Sequence, residues 1–193
     1  MQISPVILEG RHVRLDPLSL AHEEALVDAA SDGELWKSVV TIVPSRVTMG
    51  AYIQAALEAQ AHGRELPFVI IQKSSVQVVG TTRFYLIDRE NRSAEIGYTW
   101  LAKSAQRTGV NTEAKLLLLT HAFENWRCIR VSLITDALNQ QSQAAILRLG
   151  AKQEGLLRNH MIMPDGRYRD SVCFSIIEAE WPEVKARLEA KLA

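Results

Sequence analysis

The sequence predicts an α/β (α+β) domain, a mixed central sheet flanked by helices, and three observations carry that expectation. Glu95–Leu101 reads as a strand, a polar turn with one glycine follows, a helix runs to about Asn125, and Ile129–Thr135 is a second strand of branched, alternating residues. Strand, helix, strand in that order calls for a right-handed crossover to a roughly parallel partner. Elsewhere, Phe68–Ile71 with Val76–Tyr85, and Gly155–Met163 with Tyr168–Ile177, read as hairpins, the second turning at Pro164-Asp165-Gly166. Hairpins pair antiparallel, and Asp-Gly is a strong turn signal, so parallel and antiparallel strands share the sheet.

Each element has a local cause. Val6 to Leu15 splits into two short strands around Gly10, the second alternating apolar and basic residues until Pro17 ends it. Ser19 or Leu20 begins a first helix through Ala30. Asp32 to Val47 has apolar residues (Trp36, Val39, Val40, Ile42, Val43) without a sustained period, and no element is assigned there. Thr48 is placed to cap a second helix whose apolar stripe is Tyr52, Ile53, Ala56, Leu57 and Ala59, ending near Gly63. Glu90-Asn91-Arg92 marks the turn before Ala94–Leu101. After the parallel strand, Asn139 caps a short helix bearing Ala145, Ile146 and Leu149, with Gly150 where a left-handed terminus is needed. A terminal helix starts at Ala179 or Glu180, with Trp181 and Leu188 facing inward.

No repeat, low-complexity tract or hinge-like linker breaks the 193 residues, so one domain over 1–193 is expected. Lys plus Arg equals Asp plus Glu at 22 each, which argues against a dedicated nucleic-acid binder. The opening residues lack a basic region followed by an apolar run, and no apolar stretch approaches the ~20 residues that span a bilayer. Cys128 and Cys173 stand far apart without a CxxC partner. A cytoplasmic chain with reduced thiols is the plain expectation. His12, His22, His62, His121 and His160 have no metal-ligand spacing, so no metal is expected.

The turn Gln106-Arg107-Thr108-Gly109-Val110-Asn111-Thr112, running on into Glu113-Ala114-Lys115, delivers backbone N–H groups to a helix start. Unpaired N–H groups and the positive end of the helix dipole make such a junction a seat for phosphates. It lacks the Gly-Lys-Ser/Thr ending of a Walker A loop and the further glycines of a dinucleotide fingerprint. Lys115, on the first turn, is read either as reaching phosphate or as a surface lysine.

From Glu95-Ile96-Gly97-Tyr98-Thr99-Trp100-Leu101 through this cradle to His121-Ala122-Phe123-Glu124, the chain resembles the RimJ/RimL-like branch of the GNAT superfamily. The likeness resumes at Asn139-Gln140-Gln141-Ser142, Leu147-Arg148-Leu149-Gly150-Ala151, Glu154-Gly155-Leu156-Leu157-Arg158, Asp165-Gly166 and Arg169-Asp170, and includes the opening Leu8–Leu15. It implies the GNAT acyl-CoA transferase fold, with acetyl-CoA as acyl donor and a primary amine as acceptor. Gln106 and Gly109 match two fixed positions of the family's pyrophosphate motif, while Asn111 replaces its last small residue. Either the backbone path is wider there, or Asn111 caps the helix at Thr112.

The resemblance also assigns candidate roles. Arg107, Thr108, Val110 and Thr112 would line the pyrophosphate with Gln106, Gly109 and Asn111, Arg107 adding charge unless it is a solvated loop residue. Asn139 and Ser142 would face the pantetheine arm, Ser142 donating to the departing thiolate, or both would serve as local capping residues. Glu95, at the entry to the central strand, would be the base that removes the amine's proton, directly or through water, or would orient the amine instead. Gly97 would let substrate or the acyl arm approach the backbone, and an N–H near Tyr98 to Leu101 would polarise the carbonyl. His160 and Asp170 rim the acceptor pocket, with Asp170 ordering Arg158 or the acceptor. The Asp32–Val47 segment and the 160–170 hairpin would shape acceptor choice.

The resulting expectation is an acetyl-CoA-dependent N-acetyltransferase acting on an α-amine of a peptide or amino-acid-like molecule. A small-molecule amine acetyltransferase and a noncatalytic acyl-CoA-binding protein are the alternatives, and a homodimer is left open.

Overall fold

The computed structural model describes residues 1 and 3–193; Gln2, within the opening stretch read for a leader, lies outside them. The strands are β1 (Leu8–Glu9), β2 (Val13–Pro17), β3 (Leu66–Gln72), β4 (Gln77–Asp88), β5 (Ser93–Leu101), β6 (Arg130–Asp136), β7 (Lys152–Ile162) and β8 (Tyr168–Ile177). The helices are α1 (Glu23–Ser31), α2 (Met49–Ala61), α3 (Val110–Thr120), α4 (Gln140–Leu149) and α5 (Trp181–Leu192). All eight strands join one sheet in the order β1-β2-β3-β4-β5-β6-β8-β7. Every pairing is antiparallel except β5 with β6, the crossover that the strand–helix–strand pattern requires.

The period-2 alternation of the strands sorts side chains between two helical layers. Val13, Leu15, Phe68, Ile70 and Phe84 are fully buried against α3 on one face, where α5 joins by stacking Trp181 on Phe123 at 5.2 Å. Arg187 of α5 donates to the Leu149 carbonyl at 3.1 Å and ties α4 into the same layer. The other face carries Val69, Thr81 and Arg83 beneath α1 and α2, with the Tyr52 hydroxyl 3.0 Å from the Thr81 hydroxyl.

Two expectations shift by a turn. Helix α3 begins at Val110 with Gly109 in the N-cap position, so Asn111 lies inside the first turn and caps nothing. Thr48 stands at the start of α2, but its hydroxyl accepts from Ser45 N at 2.9 Å instead of capping the helix. Gly150 does end α4 in the left-handed region, at φ 106°, its N–H returning to the Leu147 carbonyl. The thiols of Cys128 and Cys173 are free. Among the described residues, no helix is long and apolar enough to cross a membrane.

Candidate active site

The sheet splits at its centre. β5 and β6 pair only at Ser93–Arg130, Ala94–Val131 and Glu95–Ser132, then diverge, although β5 runs on to Leu101 and β6 to Asp136. β6 stays bonded to β8 along its whole length, so the departure belongs to β5. Its cause is a bulge: Arg83 faces Gly97 and Thr81 faces Trp100, which sets Tyr98 and Thr99 opposite the single residue Thr82. Tyr98 takes up the extra residue at φ 51°, and a bulge of this kind bends and twists its strand. A V-shaped gap therefore opens beside strand backbone that has lost its neighbour.

Glu95 sits at the vertex of that gap. It is 5% exposed, and its Oε1 is buried with no hydrogen-bond partner among the described residues. Burial pushes its carboxyl up from 4.5 to about 7, against the opposing fields of Arg169 and Arg130. A carboxyl poised there exchanges a proton near neutrality. Tyr98, half exposed, packs its ring on Tyr85 and 4.0 Å from the Arg83 guanidinium, which also lies over Tyr52 and pairs with Glu65 at 2.7 Å. Gly97 does admit a close approach, but the space is taken: a Cβ there would lie 2.6 Å from the Tyr85 ring, so the glycine makes room for Tyr85.

Where β5 ends, the chain turns into α3. Gln106 holds the turn by donating from Nε2 to the Leu101 carbonyl at 2.9 Å, and Thr108 Oγ1 donates to the Ala105 carbonyl at 2.7 Å. The left-handed residue is Arg107, at φ 59°, while Gly109 has φ −67° and ψ −13°. The glycine's freedom is thus unused, and a Cβ on it would make only ordinary contact with Leu192, at 3.5 Å. The backbone N–H groups of Arg107, Thr108, Gly109, Asn111 and Thr112 have no partner among the described residues, and Val110 N reaches only Thr108 Oγ1, at 3.3 Å. Unpaired donors at the positive end of a helix fit a pyrophosphate. The Arg107 side chain is exposed and makes no ion pair among the described residues.

Across the gap, the Asn139 amide is committed at both ends. Its Oδ1 accepts from Ser142 N at 3.0 Å, and its Nδ2 donates to Thr41 Oγ1 at 3.1 Å. Asn139 is thus a cap and a tether, with one N–H and one oxygen lone pair of its amide still unengaged. The Ser142 hydroxyl, half-buried on the first turn of α4, has no partner among the described residues and is free to donate. The unassigned Asp32–Val47 segment is pinned beside it: Arg167 donates to both the Val39 carbonyl (2.8 Å) and Asp136 (2.5 Å). Segment and hairpin therefore meet, as their expected joint part in acceptor choice requires. Asp170 orders the backbone of Asn159 (2.7 Å) instead of Arg158, and His160 Nδ1 lies 3.0 Å from Ser171 Oγ.

Two residues escaped the sequence reading. Lys115 is neither a phosphate ligand nor a surface lysine: it is buried, donating to Thr99 Oγ1 at 2.5 Å and Thr82 Oγ1 at 3.2 Å, and burial pushes its amine down from 10.5 to about 7. The signal was present, since Lys115 shares the inward stripe of Leu118, Leu119 and Ala122. Glu113 accepts from the backbone N–H groups of Arg11 and His12, each at 2.8 Å, and so ties the N-terminal strands to α3. Nothing local marks that bond.

The fold that carries this gap is matched in known proteins. The family model of the acetyltransferase (GNAT) domain matches residues 12–152. The chain belongs to the GNAT acetyltransferases. It is accordingly an acetyl-CoA-dependent acyltransferase. A GCN5-related N-acetyltransferase from Brucella melitensis is 31% identical with a TM-score of 0.90, over 98% of this chain and 86% of that one. Mycobacterium smegmatis RimJ in complex with CoA-disulfide is 25% identical with a TM-score of 0.80, over 97% and 92%. The ribosomal-protein-serine acetyltransferase of Escherichia coli K12 is 28% identical over 113 residues, 58% of this chain and 62% of that protein. These relatives agree with the RimJ/RimL-like branch.

Proposed function

We propose that this GNAT enzyme transfers the acetyl group of acetyl-CoA to a primary amine in the cytoplasm, with the α-amine at a protein or peptide N-terminus as the preferred acceptor. The observation that carries the reading is Glu95, a buried and unpartnered carboxyl at the vertex of the β5–β6 gap. An ammonium must lose its proton before nitrogen can attack, and a base of pKa near neutrality performs that task best at physiological pH. In this reading the pyrophosphate rests on the free N–H groups from Arg107 to Thr112, with Gln106 holding the turn and Arg107 adding charge. The acyl arm enters the gap with its thioester carbonyl against the exposed backbone of the β5 bulge. Glu95 takes the ammonium's proton, the freed nitrogen attacks the carbonyl carbon, the C–S bond breaks, and the nitrogen's second proton passes to the departing thiolate, to which the Ser142 hydroxyl donates a hydrogen bond. Orientation and electrostatics are the protein's share, because the thioester is already activated.

The acceptor class draws support from the ribosomal-protein-serine acetyltransferase and from the walls of the cleft. The Asp32–Val47 segment and the 160–170 hairpin, joined where Arg167 donates to the Val39 carbonyl, would together form the acceptor's wall. The test is thiol release from acetyl-CoA with peptides of varied first residue, the same peptides blocked at the α-amine, and small amines. Release with free peptides, lost on blocking, is the expected result. Faster turnover of small amines would replace the acceptor class, and acetyl-CoA binding without release to any amine would leave a noncatalytic acyl-CoA-binding protein.

A further inference from the structure

Lys115 occupies a position where an apolar side chain would be cheaper. It lies on the inward face of α3, 5% exposed, beside Ala114, Leu118 and Leu119. It forms no ion pair among the described residues, and its acceptors are the hydroxyls of Thr82 and Thr99. An amine buried against two hydroxyls alone leaves part of its hydrogen-bonding capacity unused, which works against folding. The two threonines have no need of it, since their hydroxyls lie 2.8 Å apart and satisfy each other. A fold that tolerates this cost gains something other than stability from it.

The gain lies in what Lys115 joins. Its helix starts at the loop with the free N–H groups, and at ~1.5 Å rise per residue Lys115 stands about 7.5 Å along the axis from Val110. Thr99, its nearer partner, belongs to the β5 bulge itself. One side chain thus links the helix that would receive the pyrophosphate to the strand that would receive the thioester. We propose that Lys115 is a positioning residue that locks the Tyr98–Thr99 bulge to α3 and so holds the thioester carbonyl in register with the backbone donors of β5. The inference rests on the acetyltransferase reading of the gap. Lys115 acts through Thr99 and touches neither substrate. A misplacement of about 1 Å at a reacting centre lowers rates by ~10²-fold, so a loose bulge lowers kcat and leaves binding intact.

The test uses Lys115→Met, Thr99→Val and Thr99→Ser in the full chain. Lys115→Met is expected to lower kcat at least tenfold, with KM for acetyl-CoA and for the amine within twofold. Its Tm should be unchanged or higher, because a buried amine without a countercharge is gone and the threonine pair survives. Thr99→Val should match it in kcat, the double variant should be no slower than either single one, and Thr99→Ser, which keeps the hydroxyl, should stay near the parent. Hydrogen exchange gives a readout that needs no acceptor: the amides of Tyr98 to Trp100 should exchange faster in Lys115→Met. A kcat within twofold of the parent, or a Tm that falls in step with activity, overturns the proposal. Should the parent acetylate no amine, the acceptor reading fails, while unchanged exchange in the bulge separately refutes the lock.

Discussion

Glu95→Gln sets chemistry against stability, with opposite signs for the two. The folded protein holds the Glu95 carboxyl at about 7 against a reference of 4.5, because burial disfavours the ionised form. At ~1.4 kcal/mol for each tenfold change in acidity, the ionised side chain costs the fold about 3 kcal/mol. The sign follows from proton uptake: between 4.5 and about 7 the native state binds more protons than the unfolded chain. Stability contributed by the protonated carboxyl is therefore present at low pH and lost as pH rises through about 7. Glutamine carries no charge at any pH, and its amide is as unpartnered as the carboxyl was, so the net gain at pH 8 is smaller than that figure. A Tm rise of several degrees at pH 8, shrinking to nothing below pH ~4.5, is expected from thermal unfolding across pH. The same substitution removes the base, so kcat should fall by roughly 10²-fold. Single-turnover acetylation at saturating acetyl-CoA reads this directly. A peptide α-amine titrates near ~7.7–8.0 and adds a limb of its own, so the profile needs a second acceptor of lower basicity. Changing acceptor should move the amine's limb and leave the limb near 7 in place; Glu95→Gln should abolish the latter. If the glutamine variant keeps the parent's rate and the limb near 7, Glu95 is not the base.

Ser142→Ala should lower single-turnover kcat about tenfold or more, with acetyl-CoA affinity by calorimetry nearly unchanged; equal turnover would leave Ser142 a bystander on α4. Gly109→Ala should bind acetyl-CoA like the parent, because φ is −67° and the Cβ has room. Gly109→Pro fits the same φ but removes one free N–H, so calorimetry should show roughly tenfold weaker binding; two unaffected variants would place the phosphates elsewhere. Glu113→Ala strips the acceptor from Arg11 N and His12 N and should cost about 3 kcal/mol in urea unfolding; a loss below ~1 kcal/mol would mean that water replaces the carboxylate.

Much of the architecture was legible along the chain. Alternation in Ile129–Thr135, the Asp165-Gly166 turn and Gly150 each act through local backbone physics, and each appears where the pattern puts it. The row of free N–H groups from Arg107 to Thr112 was legible for the same reason, as unpaired donors follow from a strand–turn–helix junction wherever it occurs. Asn139 as a cap belongs with these, since a cap is written within four residues. What the sequence could not decide depended on groups brought together from afar. The start of α3 at Val110, with the strained residue at Arg107 instead of Gly109, is set by how the turn packs after Leu101. The burial that tunes Glu95 arises from β5, β6 and β8 converging, and the gap beside it from a bulge that no residue type in Tyr98-Thr99 requires. Lys115 shows the division most plainly. Its inward phase can be counted on a helix, but only the sheet beneath supplies Thr82 and Thr99, and a charged group's role is fixed by the partners and solvent it meets after folding.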